Sequence, residues 1–478
     1  MGTKAKIAFA SLIFAVSYAT RTLQAVDLSP AIYTLDQPFN GLTRAYHERA
    51  ESILKGEGVL GPYDIDPSST QWLAQDPGYS IFLSAIYSIF DGDFFTVQTI
   101  QNALTSLPPI LIFLIAGTLL SWRVGVVAGL LAALSHHLAH FSNYILPDSL
   151  PALPLLAVVL ILIPARGNTR PSFRAYVLAG VILGLSTWIR SQSLLMGPFL
   201  VVVLAIVSTR RRAATGRAAV MAAIALMMIA PITIRNYMVY GAFVPVRMGL
   251  GLNLWEGIGE AGGDRFGAKA MDHEVAAQEA LLYNEPRYGG SAQTPDGIRR
   301  DRDRTRRSIA VIIGHPVWYA GVMARRMREM LKYSANAPLV YRIGDGRRGG
   351  PAARIRPGWE QMAAGRSSPA FGEGWFWMRP LIRPLQRMTK EVMLLFIFAG
   401  AAVLLATSWR RALLISMLPI YYLLFQSTMH TEFRFALPMH YFLFVFAAVI
   451  WVLLGTATWN GARRVLGGKA TAEEPTEA

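Results

Sequence analysis

Ionisable residues are sparse in this chain and unevenly placed. Asp36, Asp64, Asp66 and Asp76 fall in one connecting segment, Asp148 follows Pro147, and His430–Thr431–Glu432–Phe433–Arg434 lies between two apolar runs. Asp64–Ile65–Asp66 has the Asp-x-Asp spacing that can share a divalent cation. Loops often carry such triplets, as Asp91–Gly92–Asp93 does here. Asp148 suits a helix cap or a site carboxylate. Arg190, Arg235 and Arg434 each stand at the end of an apolar run. A guanidinium there either snorkels toward lipid headgroups or holds phosphate oxygens through its planar fork. His136, His137 and His140 suit interface anchoring better than a metal cluster, and Arg299–Arg307 reads as a solvated helix face. Trp359, Trp375 and Trp377 suit interfacial anchoring or stacking on a sugar. The absence of cysteine excludes disulfides, Cys–zinc sites and thiol nucleophiles.

The elements that must position these residues are membrane helices. Of 478 residues, 53% are hydrophobic and 16% charged, against about 25% charged in soluble domains. Too few charges remain to coat a soluble fold. Spans of roughly 20 apolar residues fall near 5–22, 94–120, 123–142, 148–165, 174–189, 192–209, 218–235, 391–408, 411–428 and 436–456, with the first read as an uncleaved signal-anchor. Lys4 and Lys6 place the N-terminus inside. Arg166, Arg170, Arg174, Arg210–Arg212, Arg217, Arg410, Arg411, Arg463 and Arg464 then lie on the cytoplasmic side, as does the 457–478 tail. The net charge of +16 is therefore a matter of topology, and no nucleic-acid partner is expected.

This orientation sends 23–93 and 236–390 outside, giving an N-terminal module 1–235, a loop domain 236–390 and C-terminal spans 391–456. Amphipathic helices are expected at 40–56 and 79–90, both on the membrane surface, and an interfacial helix at 308–332. The stretch 342–374, rich in Gly, Arg and Pro, reads as irregular. A coupled transporter would place acids or histidines inside the bundle. The spans lack them, and polar residues gather at the outer ends.

The order of the outer-loop residues resembles the GT-C superfamily of membrane glycosyltransferases, in the branch of protein O-mannosyltransferases and lipid A aminoarabinose transferases. The residues are Asp36, then Tyr46, Ala50 and Gly56, then Gln75–Asp76–Pro77–Gly78–Tyr79. Further along come Arg190 with Leu194, Leu195 and Pro198, and Pro231 through Arg235–Asn236 with Gly251, Asn253, Leu254 and Trp255. His430, Glu432, Arg434 and Pro438 complete the likeness. Relatives place an acidic pair about four residues before the helix tyrosine, where this chain has Leu42; either the loop carries an insertion or another carboxylate serves.

The resemblance implies an all-α polytopic fold of about ten spans in a bacterial inner membrane, with its site facing the periplasm. It implies transfer of a sugar from a polyprenyl-phosphate donor to a lipid, glycan or protein acceptor. An acceptor hydroxyl must lose a proton, which points to Asp36 first, with Asp76 and Asp148 as alternatives. The leaving lipid phosphate needs cations, which points to Arg434, Arg190 and Arg235 with His430. Glu432, Asn253 and Trp255 would face the sugar or acceptor, and Asp64 and Asp66 a divalent cation. A glycan ligase or polymerase using a lipid diphosphate would instead concentrate its essential groups in 236–390, and a lipid or glycan transporter would need a polar path through the bundle.

Overall fold

Prolines and serines set the ends of the apolar helices. The computed structural model describes residues 1–33, 41–90, 94–163, 171–331 and 373–470. Asp36, Asp91–Asp93, Arg166, Arg170 and Trp359 lie outside the described residues, as do the side chains of Trp375 and Trp377. Among the described residues all regular structure is helical. Helix α1 (Thr3–Tyr33) is followed by α2 (Gly41–Leu54), α3 (Pro77–Phe90) and α4 (Phe94–Thr105). Pro108 and Pro109 open α5 (Pro108–Leu119), where the missing N–H groups would have had no helical acceptor. Ser121, Ser135 and Ser172 cap α6 (Trp122–Ala133), α7 (His136–Ser142) and α9 (Phe173–Ile189) by accepting from backbone N–H groups. Between them runs α8 (Ala152–Leu162). Helix α10 (Met196–Val207) precedes α11 (Arg211–Tyr240), which ends on Gly241 in the left-handed region at φ 61°.

Four described stretches are long and apolar enough to cross a bilayer: Thr96–Leu119, Arg211–Tyr240, Val392–Gln426 and Phe433–Trp459. Pro77–Phe90, Trp122–Ala133, Pro147–Leu162, Phe173–Ile189 and Ser191–Val207 are apolar but shorter. The expected run 123–142 is divided at Leu134–Ser135 because Ser135 starts a new helix. Helix α16 (Glu373–Gln426) leaves helical geometry at Ser408 (φ −162°, ψ 89°), just before Trp409–Arg411, where the sequence places a turn. It packs closely on α17 (Leu437–Ala470), since a Cβ on Gly400 would lie 2.1 Å from the Phe446 carbonyl oxygen.

The bundle has two chemically different ends. Phe9 meets Trp122, and Arg217 donates to the Pro171 carbonyl (3.2 Å), at one of them. Asp148, Arg190 and Arg434 meet at the other.

Three sequence expectations change. Helices α2 and α3 pack on each other through Tyr46, Ala50, Tyr79 and Leu83, and join Val97, Ile145 and Leu150, so these apolar residues, expected to face the membrane, face protein. The run 308–332 is two helices, α14 (Gly297–Gly314) and α15 (Pro316–Leu331), because Pro316 cannot continue α14. Arg300 and Arg304 are fully buried, so the solvated face of 299–307 is confined to Arg299, Arg302 and Arg306. Both contact Glu279 of α13 (Asp272–Leu282), with Arg300 Nε at 2.7 Å and Arg304 at 3.0 Å. Helix α12 (Leu250–Gly262) lies so close to α14 that a Cβ on Gly251 would sit 2.0 Å from the Asp301 carbonyl oxygen.

Candidate active site

The residues singled out by sequence meet in a chain of alternating charge at one end of the bundle. Asp76, at the start of α3, accepts from the Ser191 backbone N–H (3.2 Å) and faces Arg247 (3.6 Å) and Arg190 (4.0 Å). Arg190, at the end of α9, is bonded to Asp148 through its other nitrogen. Asp148 in turn faces Arg434 at 4.0 Å. Arg434 pairs with Glu432, Glu432 lies 3.4 Å from His430, and His430 lies 2.6 Å from Glu260 on α12. Arg326 on α15 closes the series 3.7 Å from Glu260. Arg190 and Arg434 both lie against the Phe435 ring, at 5.2 and 5.1 Å. Asp76, Asp148 and Glu260 each sit between cations drawn from different parts of the chain, whereas Glu432 sits between its chain neighbours His430 and Arg434.

Burial makes this network consequential, because unpaired charge away from water is costly. Asp76 is fully buried and Asp148 nearly so, while Arg434 and His430 keep side-chain exposures of 14% and 20%. Arg247, Glu260 and Glu432 are likewise partly open to solvent. Burial by itself would lower the His430 pKa, but its hydrogen bonds to Glu260 and Glu432 outweigh it and raise the value to about 10. Glu432 is pushed up by burial yet ends lowered, held down by His430 and Arg434. Glu256, one turn before Glu260, is raised to about 10 by burial and by Asp272.

A folded-state pKa above the unfolded one gives stability that is complete below about 6.5 and is lost as pH climbs through about 10. The contact between α12 and residues 427–434 should thus weaken between these limits. We expect the unfolding temperature in detergent to fall by about 2–4 °C across that window, the effect of roughly 1 kcal/mol. His430→Gln should flatten this dependence, and an unchanged slope in the variant would assign it to another group.

The other expected residues stand apart. Arg235 donates to the Pro62 carbonyl (2.8 Å) and lies between Tyr63 and Tyr240, anchoring the first loop to α11. Asn253 contributes its backbone carbonyl, which accepts from the His430 N–H (2.7 Å). Trp255 is buried beneath Arg307 and donates to Gln278 at 3.4 Å. Asp66 accepts from both the N–H and the hydroxyl of Ser68 and is exposed, as is Asp64. Among the described residues no three acids or histidines gather as metal ligands. His137 and His140 are buried against Phe433, Phe141 and Tyr144 rather than at a lipid interface. Sequence reasoning missed Arg247, Glu260 and Arg326, which belong to no motif and enter the network only by folding.

This helical bundle with an ionic site at one end has a GT-C-like fold. It is similar to the oligosaccharyltransferase AglB of Archaeoglobus fulgidus. The complex of that protein with an inhibitory peptide and a dolichol-phosphate superposes with a TM-score of 0.53 at 13% identity, over 99% of this chain and 52% of that one. The apo form gives 0.53 at 13% identity, over 100% and 53%. This chain thus spans about half the length of the archaeal protein. Residues 74–234, about a third of the chain, match the family model of dolichyl-phosphate-mannose-protein mannosyltransferases. The matched region includes Asp76, Asp148 and Arg190. No curated protein sequence matches the chain.

Proposed function

We propose that the protein transfers a sugar from a polyprenyl-phosphate donor to an acceptor hydroxyl on a lipid, glycan or protein at the outer face of a bacterial inner membrane. The observation that carries this reading is the placing of Arg190 and Arg434 on either side of Asp148 and against one ring, with Arg434 partly open. In the reaction the acceptor oxygen bonds to the anomeric carbon as the bond from that carbon to phosphate oxygen breaks. The lipid phosphate leaves with one more negative charge. Arg434, backed by Arg190 and His430, would hold that charge. The acceptor proton passes to a carboxylate, for which Asp36 is the leading candidate. Asp76 and Asp148 already have guanidinium partners, which suits them to orient the arginines. Glu432 would position Arg434.

The reading includes about ten membrane crossings, cytoplasmic termini, an N-terminal module 1–235 with its outer loop 23–93, a loop domain 236–390 and C-terminal spans 391–456. The ligase alternative gains from one observation: 236–390 supplies Arg247, Glu260 and Arg326 to the network. Both readings are tested by supplying membranes with radiolabelled polyprenyl-monophosphate and polyprenyl-diphosphate sugars. We expect transfer from the monophosphate, reduced about 10²-fold or more by Asp36→Asn, the usual contribution of a general base. Transfer from the diphosphate alone would establish the ligase reading. Undiminished transfer in the variant would move the base to Asp64, Asp66, Asp76 or Asp148.

A further inference from the structure

Helices α14 and α15 meet in an elbow at Gly314–His315–Pro316 whose apolar face is covered by none of the described residues. Ile309, Ile313 and Val317 are 47%, 72% and 86% exposed, and Ala310 and Ala320 extend the patch. A step of four residues sets Ile309 and Ile313 on one face of α14, and Val317 follows just past the bend at the start of α15. Arginines bracket them, with exposed Arg302 and Arg306 on the α14 side and Arg325 and Arg328 on the α15 side. Two acids stand among these cations, Asp303 at 4.0 Å from Arg306 and Glu329 at 3.3 Å from Arg328. The rim is net positive.

The elbow's height is set by what α15 touches. Tyr319 donates to the Thr428 carbonyl and Arg326 to the Ser427 carbonyl (3.2 Å). Both acceptors lie just past Gln426, where an apolar span ends. At the other end of α15, Met330 is buried in the main core of the bundle, the core that also holds Met393 near the start of the apolar span Val392–Gln426. Helix α15 therefore runs along the end of the bundle, at the level where apolar helices give way to connecting chain. Apolar side chains at that depth, ringed by arginines, match the boundary between acyl chains and anionic headgroups.

We propose that the α14–α15 elbow inserts Ile309, Ile313 and Val317 into the headgroup region of the protein's own membrane, with its four arginines on lipid phosphates, and so fixes the loop domain over the site. The inference rests on the membrane placement and not on sugar transfer, so its test reads no activity. The chain has no cysteine, which leaves single-cysteine variants free of background labelling. Ile313→Cys and Val317→Cys would carry an environment-sensitive nitrobenzoxadiazole probe. Leu281→Cys on α13, equally exposed at 85%, is the comparison. Each labelled protein is placed in nanodiscs of phosphatidylcholine, with or without phosphatidylglycerol, containing lipids spin-labelled on the acyl chain. We expect a blue-shifted probe at 313 and 317, quenched at least about twofold and more with phosphatidylglycerol, and a water-like probe at 281. Water-like emission at 313 and 317 in both lipid mixtures would overturn the proposal. So would a shift seen only with two copies per disc, which would identify a second copy as the occupant.

Discussion

Glu279→Gln should unfold the loop domain at temperatures the remaining bundle survives, because this carboxylate is the main anion for three guanidiniums. Arg300 and Arg304 donate to it and Arg307 lies 3.6 Å away. Glu279, Arg300 and Arg304 are all essentially out of water. Breaking a buried pair from one side costs about 3–5 kcal/mol, and here Arg300 would stay buried without an anion while Arg304 would keep only Asp301, at 3.7 Å. The arginines are otherwise well held. Arg300 donates to the Pro295 carbonyl (3.2 Å) and lies 4.3 Å from the Tyr288 ring, and Arg304 donates to the Ala292 carbonyl (2.9 Å). Those neutral acceptors keep the geometry but do not offset the charge. Limited proteolysis in detergent reads the result as early cleavage between α12 and α15 with the bundle intact. Adding Arg304→Met to Glu279→Gln should recover part of the loss, as it removes one buried positive charge. A single variant as resistant as the parent would mean that water or lipid phosphate reaches the arginines.

That cluster also marks how far a sequence can be read here. Arg300, Arg304 and Arg307 are spaced to share one helix face, a detectable sign that they act together. Alternation with Asp301 and Asp303 made the same stretch resemble an ordinary solvated face. Only the packing of α13 against α14 distinguishes the two, because Glu279 lies some twenty residues upstream with no motif around it. The apolar runs were more legible than their breaks: Pro108, Ser135 and Pro316 act through local geometry, yet each falls inside a run expected as one helix, 94–120, 123–142 and 308–332. The count of crossings was not: α6 and α7 divide one apolar run, and length alone supports four long spans among the described residues.

The candidate site was legible as a set of positions and not as a network. Asp76, Asp148, Arg190, Glu432 and Arg434 could be found because each is polar at the end of an apolar run. Their partners could not, because Asp148 meets Arg190 and Arg434 across long stretches of chain. Arg235 shows the reverse error. It has the same helix-end position as Arg190 and Arg434, yet its fork is spent on the Pro62 carbonyl between two tyrosines.

Arg434→Ala tests whether the network does chemistry. Its removal leaves Asp148 with Arg190 and Glu432 with His430, so each anion keeps one cationic partner. Folding should therefore suffer by about 1–2 kcal/mol, less than when a buried charge is left alone. Transfer from a polyprenyl-phosphate sugar should fall much further, by about 10²–10³-fold, as when a group stabilising developing charge is lost. Because the phosphate gains charge as the glycosidic bond breaks, the loss should lie mainly in kcat and less in donor KM. Arg434→Lys should recover only part of the rate, since an ammonium restores the charge but not the fork that bridges Glu432 and the phosphate. Arg235→Ala should show the opposite pattern, with a lower unfolding temperature and kcat within a few-fold of the parent. If Arg434→Ala lowers stability and transfer only to the extent Arg235→Ala does, the chain of charges is a structural clamp, and the phosphate must be held by other residues.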